Sequence, residues 1–169
     1  MLLELFIIAM LSIIVVQDMR FRKISWIPLP LLLMAFMMLS LKQNSFREVV
    51  FMYWFNFLFI LVQHICFAVF FFIKKRKVFN LINTYHGIGD ILFAVILCMA
   101  FSPMNFIHFY IISMCLTLLG YLLFLYLRSA SSRGVPTAGG MALVLIVCFV
   151  FKMLNGTDFY SDHLFFDSF

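Results

Sequence analysis

Six apolar segments, separated by short polar stretches, follow one another along almost the whole chain. A helix needs about 20 mostly apolar residues to cross a bilayer, so the shorter segments must end close to water or under a thinned membrane. The pattern predicts an all-α, polytopic membrane protein that forms one integral-membrane domain over residues 1–169. Its six transmembrane helices are expected near residues 2–17, 26–41, 49–73, 90–103, 105–127 and 139–154.

The composition leads to the same class of protein. Of the 169 residues, 66% are hydrophobic and only 11% are charged, more apolar surface than a soluble domain of this size could bury. The net charge of +5 comes from short basic clusters between apolar segments, the usual arrangement for orienting a membrane protein. We therefore expect membrane lipids, and no nucleic acid, among the partners.

The basic residues also predict an orientation. If the six spans alternate, nine basic residues lie on one side of the membrane and three on the other, which makes the first side cytoplasmic. Both termini are then predicted outside, in a multi-pass protein of the inner (cytoplasmic) membrane. The first side holds Arg20, Arg22, Lys23, Lys74, Lys75, Arg76, Lys77, Arg128 and Arg133, and the other holds Lys42, Arg47 and Lys152.

The four cysteines give no sign of a metal site. Cys66, Cys98, Cys115 and Cys148 all lie inside apolar segments, and none forms a CxxC pair. Zinc and a disulfide framework are thus not expected. The interpretation is that all four are buried, small apolar residues.

Two aspartates carry the candidate chemistry. Asp18 closes the first span and Asp90 opens the fourth, so the alternation of spans places both carboxylates at the same membrane face. Two carboxylates that meet cannot both ionise cheaply, so one holds a proton. One can then act as general base on a water molecule while the other acts as acid toward a carbonyl, which is aspartic peptidase chemistry.

Each aspartate also has a purely structural interpretation. Asp90 can serve as the N-cap of its helix, a common role for aspartate. Asp18 can pair with Arg20 or Arg22 in the headgroup region. Two polar residues of the third span, Asn56 and Gln63, lie seven positions apart and so share a helix face. They could line a water-filled site, but hydrogen bonding between helices is the favoured interpretation.

Glycines and a proline flank the two aspartates in the expected fold. Gly87 and Gly89 would let backbone approach closely and could leave an extended edge for a substrate strand. The stretch 129–140 is the clearest break in the apolar pattern, and Pro136 and Gly139 in it suit a loop or helix start packed against neighbouring backbone.

Three stretches together resemble the type IV prepilin peptidase family, the membrane aspartic peptidases with a GxGD motif. They are QDMRFRKISWIPL at 17–29, GIGD at 87–90 and GVPTAGGMAL at 134–143. The chain resembles a short form, because it lacks the CxxC pairs of the N-terminal methyltransferase region found in larger members. It departs from the family where Ser25 stands for proline, where Ile91 and its neighbours include no lysine, and where Thr137 follows Pro136.

The resemblance implies that Asp18 and Asp90 are the catalytic pair, with Gly87, Gly89, Pro136 and Gly139 in the active-site loops. It implies removal of a short basic leader from prepilin-like precursors at the cytoplasmic face, without a metal or organic cofactor, in partnership with a pilus or secretion machinery. The alternative is a non-catalytic scaffold or transporter subunit of such an assembly. A transporter is disfavoured because the chain shows no inverted repeat.

Overall fold

The computed structural model describes residues 1–75, 87–128, 135–155 and 159–160. Within these ranges the chain forms six helices and no strand. Some residues used for the predicted orientation lie outside the described ranges, namely Arg76, Lys77 and Arg133. The helices are α1 (Leu2–Phe21), α2 (Pro28–Leu41), α3 (Phe46–Lys75), α4 (Ile88–Leu97), α5 (Pro103–Arg128) and α6 (Thr137–Asn155).

Four of the helices are long and apolar enough to cross a membrane. They are α1, α3, α5 and α6, with spanning segments Leu2–Phe21, Phe46–Phe70, Pro103–Leu127 and Thr137–Leu154. Helices α2 and α4 are apolar but shorter. The described part of the chain therefore confirms an all-helical architecture with four candidate membrane spans, and the full count of six spans stays a prediction.

The fourth predicted span is the one whose boundary was most wrong. It was expected over 90–103, but α4 ends at Leu97 and a turn precedes Pro103. The side chain of Asn56 explains the stop, because its Nδ2 donates to the backbone oxygens of Cys98 at 2.9 Å and Phe101 at 3.0 Å. Asn56 thus bonds the C-cap of α4 and the turn after it, so its predicted hydrogen bonding reaches the end of a neighbouring helix.

The core lies between α1 and α6, which pack against each other along most of their length. Ile7, Leu11 and Ile14 form one fully buried face of α1, at the spacing of successive helical turns. Across the bundle, the rings of Phe36 on α2 and Phe149 on α6 lie 6.2 Å apart. This pairing of α1 with α6 fixes how the end of α1 faces the start of α6.

The outward faces of the helices carry large apolar side chains, as lipid contact requires. This corrects the interpretation of the cysteines, since Cys66 and Cys115 are exposed, Cys98 is buried and Cys148 is half-buried. An apolar segment in a small membrane protein has a lipid-facing side as well as a packed side, so hydropathy alone could not distinguish them.

Contacts at the two ends of the bundle show that α1 runs antiparallel to α6 and that α4 begins at the end where α1 finishes. At one end, Gly139 contacts Asp18 and Gly89 contacts Ile24. At the opposite end, Glu4 pairs with Lys152. The predicted placement of Asp18 and Asp90 at the same end of the bundle is therefore present in the structure.

Candidate active site

Asp18 lies in the last turn of α1, with 5% of its surface exposed. Its Oδ2 accepts a hydrogen bond of 2.6 Å from the backbone N–H of Gly139, at the start of α6. Helix α1 continues past Asp18 to Phe21, beyond the predicted end at residue 17. The carboxylate is therefore held on a helical turn that packs against α6.

The chain turns sharply after α1 and folds back on it. Arg22 adopts a left-handed conformation, with φ 55°, and its N–H donates to the carbonyl oxygen of Asp18 at 3.0 Å. Ser25 then donates from both its N–H and its hydroxyl to Oε1 of Gln17, at 2.9 and 3.0 Å. The polar residues around Asp18 thus form an ordered loop beside the carboxylate.

Asp90 is the third residue of α4, and the N-cap of that helix is Gly87. Its Oδ2 accepts from the N–H of Gly87 at 3.3 Å, which is half of a capping box. Its Oδ1 accepts from the N–H of Ala138 on α6 at 3.1 Å. Asp90 is therefore not the N-cap of α4, as one interpretation had it, although its side chain does bond the backbone of the N-cap residue. Its second bond, to Ala138, reaches another helix.

Consecutive peptide groups at the start of α6 thus hold the two carboxylates. Because one residue of backbone separates the N–H groups of Ala138 and Gly139, the bonded oxygens of Asp90 and Asp18 lie no more than about 9 Å apart. The first N–H groups of a helix have no partner within it, and the helix dipole favours negative charge there. The structure brings the two predicted aspartates together at one helix N-terminus.

Gly139 is the glycine that this arrangement requires. A Cβ atom at this position would lie 3.0 Å from Oδ2 and 3.1 Å from Cβ of Asp18, closer than ordinary contacts. Pro136 is buried just before α6. It has no N–H of its own, and its carbonyl oxygen accepts from the N–H of Gly140 at 3.0 Å. Both residues therefore shape the helix start that receives the carboxylates.

The other two predicted glycines differ from each other. Gly87 is extended, with φ −68° and ψ 144°. Gly89 lies inside the first turn of α4, where an added Cβ would come 3.2 Å from Cβ of Ile24. An extended edge running through both glycines was expected and is absent from the described residues 87–90. Gly89 instead permits close packing between α4 and the loop after α1.

A cleft of about 290 Å³ opens beside the two carboxylates. Since one water molecule occupies about 30 Å³ in the liquid, the cleft has room for several. It is lined by Asp18, Arg22, Lys23, Ile24, Gly87, Ile88, Gly89 and Asp90. The same cleft therefore offers the carboxylates, space for water and two cationic side chains.

The arginines near Asp18 have aromatic neighbours. The guanidinium of Arg20 lies 5.4 Å from the ring centre of Phe21, and that of Arg22 lies 5.9 Å from the ring centre of Tyr121. The positive charge of Arg22 also acts on Asp18, as does the charge of Asp90. Arg22 therefore acts on this carboxylate through its charge, alongside the hydrogen bond from Gly139.

Sequence reasoning missed the backbone of α6 as the element that joins the site. The signal available was the pair of glycines at 139–140, where the chain must pack tightly. Gly140 was not singled out, although a Cβ there would lie 2.3 Å from the side chain of Thr117 on α5. Among the residues that the structure describes, no group of three or more His, Cys, Asp or Glu side chains could hold a metal ion.

Comparison with known proteins leaves the family open. No family model matches the chain, and neither a curated protein nor a solved structure matches it. The functional assignment therefore depends on the site itself.

Proposed function

We propose that this protein is an intramembrane aspartic endopeptidase of the prepilin peptidase type, with six spans in the inner membrane and both termini outside. The observation that supports it best is the placement of Asp18 and Asp90 on consecutive N–H groups of α6, beside one cleft. The proposed substrates are prepilin-like precursors, which lose a short basic leader at the cytoplasmic face.

The proposed reaction is hydrolysis of one peptide bond. One carboxylate takes a proton from a water molecule as the water oxygen bonds to the scissile carbonyl carbon. The other carboxyl, protonated at the start, gives its proton to the carbonyl oxygen. The tetrahedral intermediate then collapses as the C–N bond breaks: the carboxyl that took the water proton gives it to the amine nitrogen, and the other carboxylate takes a proton from a hydroxyl of the intermediate, which leaves one carboxyl protonated again.

The backbone of α6 contributes by orienting the pair. The N–H groups of Ala138 and Gly139 fix one oxygen of each carboxylate. Such preorganised groups act without rearranging during the reaction. The second oxygen of Asp90 accepts only a longer bond, 3.3 Å, from Gly87, and water or substrate would displace that bond. No cofactor takes part in this scheme, and methylation of the product is not proposed. The partners are the precursors, the membrane lipids and a pilus or secretion machinery.

The same hydrogen bonds also fit a second role, a non-catalytic subunit. Two carboxylates that cap the start of α6 would stabilise the bundle even if no substrate were cut. Asparagine separates the roles, because its amide oxygen can still accept from Ala138 or Gly139 but cannot act as a general base. A scaffold would therefore tolerate Asp18→Asn and Asp90→Asn, and a peptidase would not.

The test is co-expression of this protein with prepilin-like precursors from the same genome, following the shift from precursor to mature form. We expect cleavage by the wild type and none by Asp18→Asn or Asp90→Asn at equal membrane levels. Glu48→Gln is the matched control, since Glu48 is exposed in a capping box with Ser45 where glutamine serves equally well. Cleavage that survives either aspartate variant would refute the two-aspartate mechanism.

A further inference from the structure

A second polar contact joins α1 and α6 at the end of the bundle opposite the two aspartates. Nζ of Lys152 on α6 lies 3.7 Å from Oε1 of Glu4 on α1. The lysine side chain is 9% exposed and the glutamate side chain 18%. Burying a charged pair to this extent in an apolar bundle costs free energy of folding. Its presence therefore suggests that the pair has a role.

The surroundings of Lys152 hold it in one place. Its Nζ lies 4.9 Å from the ring centre of Phe159, which is fully buried. The carbonyl oxygen of Phe159 accepts from the side chain of Asn105 at 3.1 Å. Within the described residues, no hydrogen-bond acceptor is found for Nζ, so Glu4 and the aromatic ring are the charge-stabilising contacts shown.

The two contacts between α1 and α6 match in register. Glu4 and Asp18 are separated by about 20 Å along α1, and Gly139 and Lys152 by about 20 Å along α6, from the rise of 1.5 Å per residue. In an antiparallel pair, Glu4 then meets Lys152 at one end when Asp18 meets Gly139 at the other. The apolar side chains between them interdigitate and resist sliding, and the two polar contacts add directional restraints at the two ends.

We infer that the Glu4–Lys152 pair is a positioning pair for the candidate active site. It fixes α1 lengthwise against α6 and so keeps Oδ2 of Asp18 at the N–H of Gly139. A slip of one residue would move the helices by about 1.5 Å, more than a hydrogen bond of 2.6 Å can absorb. This inference concerns the geometry of Asp18, and only its effect on cleavage rests on the proposed function.

The test measures the burial of Asp18 directly. Opened membranes are treated with a water-soluble carbodiimide and an amine, which converts carboxyl groups reachable from water to amides, and mass spectrometry gives the rate at Asp18 relative to exposed Glu48. We expect Lys152→Met to raise that relative rate several-fold. The charge-swapped double variant, Glu4→Lys with Lys152→Glu, should return it to the wild-type value, and Lys152→Arg should leave it unchanged.

The outcomes separate this inference from the proposed function. A wild-type labelling rate in folded Lys152→Met would overturn the inference, as would a raised rate in the charge-swapped variant. If Lys152→Met does not accumulate, the charge-swapped and arginine variants decide in the same way. Where cleavage is also observed, kcat should fall about a hundredfold in Lys152→Met, the loss typical of a misplacement of about 1 Å, and recover in the charge-swapped variant.

Discussion

Replacing Gly139 by alanine should damage the site with a small effect on the fold. The new Cβ would lie 3.0 Å from Oδ2 and 3.1 Å from Cβ of Asp18, while unstrained carbon contacts lie at about 3.5–4.0 Å. Since Cβ of Asp18 is next to the helix backbone, the shortfall of about half an ångström must be met by moving α1 away from α6. That movement lengthens the hydrogen bond from Gly139 to the carboxylate.

The magnitude follows from two opposing effects on the free energy of unfolding. Overpacking costs about 1–3 kcal/mol. Replacing a helical glycine by alanine returns about 1 kcal/mol. The net loss of stability should be about 0–2 kcal/mol. A weakened charge-assisted hydrogen bond, worth about 1.5–3 kcal/mol, would lower the cleavage rate about tenfold to a hundredfold.

The assay compares cleavage rate with thermal stability in detergent for Gly139→Ala and Gly120→Ala. Gly120 is the matched control because nothing lies within 4 Å of a Cβ placed there. It should leave cleavage unchanged and keep or raise stability. Wild-type cleavage in Gly139→Ala, or an equal loss in both variants, would refute the assigned role of the contact with Asp18.

Three further predictions concern the rest of the bundle. Gly140→Ala should lower stability by about 1–3 kcal/mol in detergent unfolding, because its Cβ would lie 2.3 Å from atoms of Thr117, and Thr117→Ala should restore part of the loss. Asn56→Ala should cost about 2–4 kcal/mol in the same measurement, since two backbone carbonyls in the turn after α4 lose their donor; a change below 0.5 kcal/mol, about the size of an ordinary surface substitution, would contradict this. In a cysteine-free background, Lys23→Cys should react with a membrane-impermeant thiol reagent only after the membrane is opened, whereas Gln43→Cys should react in intact cells; the reverse pattern would overturn the predicted orientation.

The sequence was sufficient to predict the helices because each helix of such a bundle appears as a long apolar run. It was less able to predict where they end, since hydropathy marks the apolar stretch and not the last helical residue. Helix α1 runs past Asp18 through Arg20, and α4 stops at Leu97 although the apolar run continues. The stop depends on Asn56 from another helix, a contact that local sequence does not contain.

The sequence predicted which residues form the candidate site, and it did not predict what holds them together. Counting spans was enough to place Asp18 and Asp90 at one end, because helix direction alternates along the chain. The element that joins them was not predictable, since the donors are backbone N–H groups of Ala138 and Gly139 and any residue except proline supplies such a group. The distant pair formed by Glu4 and Lys152 depends on helix register, which also requires the packed structure.

The most direct test of the central claim uses purified components. Wild-type protein, Asp18→Asn and Asp90→Asn are each reconstituted in liposomes with a purified prepilin-like precursor, and the released leader and the new N-terminus are identified by mass spectrometry. The two-aspartate account predicts a single cut between leader and hydrophobic helix with the wild type and no product with either variant. A product that forms equally with Asp18→Asn or Asp90→Asn, or no cut of any precursor by well-folded wild-type protein, would contradict it.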